Sequence, residues 1–117
     1  MKIILVVDDD EKIRLLLSEE LTDEGYQVLT AADAMEALKI IERKEPLDLV
    51  VLDIRMPGMT GVELLPRIIG MREGLPVILN TAYAQYKQDF MTWAANAYIV
   101  KSSDLSELKN KIKELLE

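Results

Sequence analysis

Short runs of aliphatic residues alternate with longer stretches of helical periodicity along the whole of this chain. That alternation is typical of parallel strands that are each followed by a crossover helix, and such crossovers are right-handed. A chain of 117 residues has room for about one domain of ordinary size. We therefore expect residues 1–117 to form a single doubly wound α/β domain, with a five-stranded parallel sheet and helices on both of its faces.

Two of the apolar runs are continuous, as expected of strands that are buried on both faces. These are Ile3–Val7 and Leu49–Leu52, and we predict that they are the central strands. Gln27–Thr30 is shorter and more polar, which indicates an edge strand. Val77–Leu79 and Tyr98–Val100 complete the predicted sheet.

The segments between the strands have apolar residues at spacings of three and four, which predicts helices with one buried face. A fourth helix, over about 84–95, has the weakest pattern. The predicted buried positions of the other helices are Ile13, Leu16, Leu17 and Leu21; Ala37, Leu38 and Ile41; Leu64, Leu65, Ile68 and Ile69; and Leu105, Leu108, Ile112, Leu115 and Leu116.

Capping signals define where two of these helices begin and where one ends. Asp33 with Glu36, and Thr60 with Glu63, have the three-residue offset of a capping box. Gly25 stands where the first helix should stop, because glycine readily adopts the left-handed conformation of a helix C-terminus.

The composition excludes several kinds of site. The chain has no cysteine, which rules out disulfides, zinc-thiolate sites and thiol nucleophiles, and no histidine, which rules out Ser-His triads and imidazole ligands. Chemistry here must use carboxylates, lysine, hydroxyl groups, the backbone or a metal ion.

Charge and hydropathy bear on partners and location. The formal net charge of -7 opposes direct binding of nucleic acid by this domain. No run approaches the roughly 18 apolar residues of a membrane helix, and the apolar run near the N-terminus is too short for a signal peptide. We predict a cytoplasmic protein that contacts neither nucleic acid nor membrane.

Polar residues follow the predicted strands at the point where each strand ends. Asp8 and Asp9 follow the first strand, Asp53 the third, Thr81 the fourth and Lys101 the fifth. Ligands of open α/β sheets bind beyond the carboxyl ends of the strands, so these side chains should surround one small volume.

Carboxylates held this close together repel one another unless a cation offsets their charge. An all-oxygen ligand set that leaves room for waters and phosphate suits Mg²⁺. A carboxylate nucleophile, a metal ion, an ammonium and a hydroxyl group are the components of phosphoryl transfer. The constellation predicts a site that handles phosphate.

Each of these residues taken alone has a simpler structural explanation. Aspartates after strands often cap helices or form turns, and we assign Asp10 such a capping role. Asp8 and Asp9 could act in the same way. The joint placement of the polar residues at four strand ends favours the functional interpretation.

Four segments resemble the CheY-like receiver domain of two-component response regulators. They are Val6–Glu11, Leu52–Gly61, Asn80–Ala82 and Tyr98–Lys101, and they occur in the family's order and spacing over essentially the whole chain. The resemblance implies a flavodoxin-like (βα)5 fold with strand order 2-1-3-4-5. It also implies a signalling switch in a phosphorelay rather than an enzyme that acts on a separate substrate.

The resemblance implies a role for each residue of the site. Asp53 would accept a phosphoryl group from a histidine of a sensor kinase or phosphotransfer protein. Asp8, Asp9, Asp53 and the backbone carbonyl of Arg55 would hold Mg²⁺, and Lys101 would pair with the phosphoryl group.

The resemblance also implies how the signal leaves the site. Thr81 would move toward the phosphoryl group and Tyr98 would turn inward, which would change the surface of the fourth helix, the last strand and the last helix. That surface would act on an output domain or target protein, and it could form a homodimer on activation. One departure is Ser102, which stands after Lys101 where receivers usually have proline.

Two other classes of function remain open from the sequence. A phosphatase with an aspartate nucleophile would also use Mg²⁺, but such enzymes usually have a second aspartate two residues later, where this chain has Arg55. A receiver-like module that binds without being phosphorylated would have lost an acidic residue or the lysine, and all of these are present. Arg55 and Tyr83 are bulky enough to shield an acyl phosphate from water.

Overall fold

A computed structural model describes residues 1–43, 46–83, 85 and 94–117. The predicted helix at about 84–95 falls almost entirely outside these ranges. The described elements are β1 (Ile3–Val7), α1 (Glu11–Asp23), β2 (Gln27–Ala31), α2 (Ala34–Glu42), β3 (Leu49–Leu52), α3 (Gly61–Met71), β4 (Val77–Thr81), β5 (Ala97–Val100) and α4 (Ser106–Leu116). Strands and helices alternate as predicted from β1 to β4, and again from β5 to α4.

The strands form one five-stranded sheet in the order β2-β1-β3-β4-β5, and every neighbouring pair is parallel. This confirms the predicted doubly wound fold class. All residues of β3 are buried, and so are all of β1 except Ile3, which is half-buried. The mixed burial of β2 fits its position at the sheet edge.

Alternate residues of the strands pack against helices on opposite faces of the sheet. Leu5 and Val7 of β1 belong to the core with α2 and α3. Ile4 and Val6 belong to the core with α1 and α4. Two predicted buried positions are wrong, because Leu16 of α1 is 40% exposed and Ile69 of α3 is 37% exposed. The buried faces of these two helices are narrower than the apolar spacing indicated. Within the described ranges, no helix has both the length and the apolar character needed to cross a bilayer.

The helix termini follow the capping signals. The side chains of Asp10, Asp33 and Thr60 each accept a backbone hydrogen bond at the start of a helix, and Thr60 forms a reciprocal capping box with Glu63. Helix α1 ends in a Schellman motif around Gly25, which has a φ of 97°. These caps determine where the loops above the sheet begin and end.

Candidate functional site

The pairing of β1 with β3 brings three carboxylates together. Val7 lies opposite Leu52, and the amide of Asp53 donates a hydrogen bond of 2.9 Å to the carbonyl oxygen of Val7. One carboxylate oxygen from each of Asp8, Asp9 and Asp53 lies within 4.8 Å of the others. Asp8 and Asp53 are buried, whereas Asp9 is exposed.

Lys101 reaches this cluster from the end of β5. Its amide donates a hydrogen bond of 2.7 Å to the carbonyl oxygen of Thr81, which extends the pairing of β4 with β5 by one residue. Its ammonium Nζ lies 2.7 Å from Asp8 Oδ2 and 3.4 Å from Asp53 Oδ2. The peptide bond that joins Lys101 to Ser102 is trans. The side chain is 20% exposed, so solvent screens these ion pairs only partly.

The charges of the cluster perturb one another. Burial and the adjacent charge of Asp8 raise the pKa of Asp53 above its ordinary value, despite the opposing effect of Lys101. Burial alone would lower the pKa of Lys101, but the hydrogen bond to Asp8 and the charges of Asp53 and Asp8 raise it. Lys101 therefore stays protonated and offsets part of the negative charge.

Asp8 is also held by backbone and side-chain hydrogen bonds. Its Oδ1 accepts a bond of 2.9 Å from the amide of Asp10. Its carbonyl oxygen accepts a bond of 2.8 Å from Nη1 of Arg14, in the first turns of α1. Arg14 was not among the residues predicted for the site. One sign was present, because a cation close to a helix N-terminus opposes the helix dipole and so points to a specific partner.

Gly61 is a second residue that the sequence analysis did not explain. It is the first residue of α3, and its amide donates a hydrogen bond of 2.7 Å to the carbonyl oxygen of Ile54. A Cβ atom at this position would lie 2.2 Å from the carbonyl oxygen of Asp53. Only glycine allows α3 to approach the backbone of Asp53 this closely.

Thr81, Tyr83, Tyr98 and Arg55 are connected beside the carboxylates. Thr81 is fully buried, and its hydroxyl oxygen accepts a hydrogen bond of 3.3 Å from the amide of Tyr83. The Tyr98 hydroxyl donates to the carbonyl oxygen of the same Tyr83. The guanidinium of Arg55 lies 4.7 Å from the centroid of the Tyr83 ring. Tyr83 therefore joins the two residues that the sequence singled out as a switch.

The carboxylates satisfy the requirements of a hard cation. Asp53 Oδ1 is buried and has no hydrogen-bond partner among the described residues. Opposite ligands of Mg²⁺, each about 2.1 Å from the ion, are about 4.2 Å apart, and the three carboxylate oxygens of this cluster all lie within 4.8 Å of one another. Oxygen ligands alone suit Mg²⁺ rather than a transition metal. Asp8, Asp9 and Asp53 therefore fit a magnesium ion.

Comparison with known proteins identifies the family of this fold and site. The family model for the response regulator receiver domain matches residues 4–113. The chain belongs to this family. Among curated relatives of this receiver domain, sporulation initiation phosphotransferase F of Bacillus subtilis is 39% identical over 97% of this chain and 92% of its own length. The transcriptional regulatory protein GlrR of Escherichia coli is 35% identical, but the match spans only 26% of its length.

Solved structures give the same assignment. The response regulator TrrA of Thermotoga maritima, in complex with Mg²⁺-BeF, is 49% identical and superposes with a TM-score of 0.96 over 99% of this chain and 100% of that one. A second structure has TrrA in complex with the histidine kinase ThkA, with a TM-score of 0.93 and full coverage of both chains. The CheY4 chemotaxis protein of Vibrio cholerae is 30% identical, with a TM-score of 0.90 and 99% coverage of both chains.

Proposed function

We propose that this receiver domain accepts a phosphoryl group on Asp53 in a Mg²⁺-dependent reaction. The observation that supports this best is the buried Asp53 carboxylate, with one unpaired oxygen, flanked by two further carboxylates and an ammonium. The donor is a phosphohistidine of a sensor kinase or of a phosphotransfer protein. Support for such a donor comes from the similar regulator TrrA, which forms a complex with the histidine kinase ThkA.

The transfer exchanges one bond to phosphorus for another. A carboxylate oxygen of Asp53 attacks the phosphorus atom while the bond from phosphorus to the donor imidazole nitrogen breaks, and the bonding electron pair returns to that nitrogen. The product is an acyl phosphate on Asp53. Because the transition state is loose, positioning and neutralisation of the phosphoryl oxygens matter most. Lys101 lies 3.4 Å from Asp53 and is placed to pair with one of these oxygens.

The metal ligands of this proposal are Asp8, Asp9, Asp53 and the backbone carbonyl of Arg55. Bound there, Mg²⁺ supplies positive charge that offsets both the carboxylates and the phosphoryl oxygens. Asp8 and Asp53 directly follow β1 and β3, and their amides donate hydrogen bonds to the neighbouring strands, while Asp9 lies one residue further along the loop after β1.

The proposed response begins at Thr81. A phosphoryl group adds nearly two negative charges and three strong acceptors. It would attract the Thr81 hydroxyl, and the Tyr83 amide would then lose the hydroxyl oxygen that accepts its hydrogen bond. Because the Tyr98 hydroxyl binds the carbonyl of Tyr83, a shift of this peptide would move Tyr98 as well. The changed surface would include β5 and α4 and would act on an output domain, a target protein or a second copy.

The lack of cysteine supports a cytoplasmic site of action.

Incubation with acetyl phosphate and Mg²⁺, followed by mass spectrometry, tests the proposal. We expect a mass increase of one phosphoryl group that maps to Asp53, and no increase in Asp53→Asn or in the presence of EDTA. Modification that persists in Asp53→Asn or without a divalent ion would contradict the assignment. Rapid turnover of small phosphate esters would instead indicate a phosphatase.

We also expect Arg55 and Tyr83 to slow the hydrolysis of the acyl phosphate. The guanidinium lies against the Tyr83 ring, so the two side chains form a partial cover two residues beyond Asp53 and Thr81. Arg55→Ala and Tyr83→Ala should each shorten the lifetime of phosphorylated Asp53 by a few fold, because water gains access. Decay of the modified protein after removal of the phosphodonor measures this. Decay that is unchanged or slower in both variants would refute the shielding.

A further inference from the structure

We propose that Arg14 is a positioning residue for the metal site, acting through the peptide bond that joins Asp8 to Asp9. Its Nη1 donates a hydrogen bond of 2.8 Å to the carbonyl oxygen of Asp8, and the bond is partly buried. This inference rests on the proposed function, because it assumes that Asp8 and Asp9 are metal ligands. It assigns a role to a residue that is not itself a ligand.

The peptide group between Asp8 and Asp9 is planar, so the carbonyl of Asp8 and the amide of Asp9 form one rigid unit. A hydrogen bond that fixes the Asp8 carbonyl oxygen therefore also fixes the orientation of the N–Cα bond of Asp9. The Asp8 carboxylate has anchors of its own, the amide of Asp10 and the ammonium of Lys101. It would keep its position without Arg14.

Asp9 differs from Asp8 in this respect. Its carboxylate is exposed, and within the part of the chain that the structure describes it makes no hydrogen bond or ion pair. Where the carboxylate can reach is therefore limited only by the position of the Asp9 backbone and by its own side-chain rotamers. Arg14 restrains that backbone from α1, so the loss of Arg14 should release Asp9 while leaving Asp8 and Asp53 in place.

Charge and positioning predict effects of opposite sign. A guanidinium beside the carboxylates repels a divalent cation, so a purely electrostatic role means that Mg²⁺ binds more tightly once Arg14 is removed. A positioning role means that Mg²⁺ binds more weakly. Groups that orient metal ligands typically contribute about tenfold or more in metal affinity, which exceeds the effect of a partly screened surface charge.

Isothermal titration of the full chain with Mg²⁺, at fixed ionic strength and without phosphodonor, tests the inference. We expect about tenfold weaker binding in Arg14→Met, and Arg14→Lys should restore most of the affinity because lysine keeps a donor at similar reach. The matched control is Lys12→Met, which removes an exposed cation two residues earlier in the same helix. It should bind Mg²⁺ as wild type does, or slightly more tightly.

The results distinguish a failure of the proposed metal site from a failure of the proposed role of Arg14. If the wild type does not bind Mg²⁺, or if Asp9→Asn binds as tightly as wild type, the proposed metal site is wrong. If the wild type binds but Arg14→Met binds equally or more tightly, only the positioning role is overturned. Thermal unfolding in EDTA reports whether the variant is folded. Should Arg14→Met not fold, Arg14→Gln replaces it, since glutamine is shorter and loses both the charge and the reach to Asp8.

Discussion

Replacement of Gly61 by alanine is expected to destabilise the domain by about 3 kcal/mol, at the upper end of the usual cost of an overpacked position. The new Cβ would lie 2.2 Å from the carbonyl oxygen of Asp53 and 2.9 Å from Cα of Ile54. Both atoms belong to the backbone, so no side chain can rotate away. Either α3 moves off the loop or the Asp53 backbone shifts, and the second response would displace the carboxylate.

Gly70→Ala is the matched control, because Gly70 lies in the same helix and nothing is within 4 Å of the position of its Cβ. Alanine is the better helix former there by about 0.5–1 kcal/mol. Thermal unfolding should therefore show a melting temperature that falls by about 10 °C in Gly61→Ala and that does not fall in Gly70→Ala. Equal melting temperatures for the two variants would contradict the close approach.

The central part of the site was predictable because sheet topology determines it. Once Ile3–Val7 and Leu49–Leu52 are recognised as parallel neighbours, Asp8 and Asp53 must leave the sheet at the same edge. The period-two alternation of a strand then determines which side chains face which layer. The apolar runs predicted these features because each strand is buried almost completely.

The contacts between loops and helices were not predictable in the same way. Arg14 and Gly61 act on the backbone of Asp8 and Asp53, and both contacts depend on how far a helix stands from a loop above the sheet. No periodicity encodes that distance. The only sequence signs were local exceptions, an arginine near a helix N-terminus and a glycine as the first residue of a helix that Thr60 already caps.

Lys101 contacts one of the two buried carboxylates more closely than the other. The resemblance implied that it pairs with a phosphoryl group on Asp53, and in the structure its ammonium lies 2.7 Å from Asp8 and 3.4 Å from Asp53. The Lys101 ammonium pairs with both carboxylates because both are buried and their negative charges repel each other. A cation bound by Asp8 would compete with this ion pair, and Lys101 would then be available to Asp53.

Lys101→Met should slow phosphorylation of Asp53 by acetyl phosphate by about 100-fold, the usual cost of removing one group that stabilises charge in the transition state. In the proposed transfer the Lys101 ammonium neutralises a phosphoryl oxygen, and methionine would fill similar space without charge. The matched control is Lys109→Met, which removes a half-buried lysine that pairs with Glu20 and Glu24 of α1 and its C-cap rather than with the carboxylate cluster. Its phosphorylation rate should stay close to that of the wild type.

The same variant has a distinctive pH dependence. Lys101 lowers the pKa of Asp53 against the raising effects of burial and of Asp8, so its removal should raise that pKa further. This pKa is measured in the metal-free protein, because a bound Mg²⁺ would itself keep the carboxylate ionised. A titration in EDTA, followed through the carboxyl carbon of Asp53 by NMR, should therefore give a higher pKa in Lys101→Met than in the wild type. A pKa that stays the same or falls, together with a phosphorylation rate like that of Lys109→Met, would show that Lys101 acts on neither the carboxylate nor the phosphoryl group.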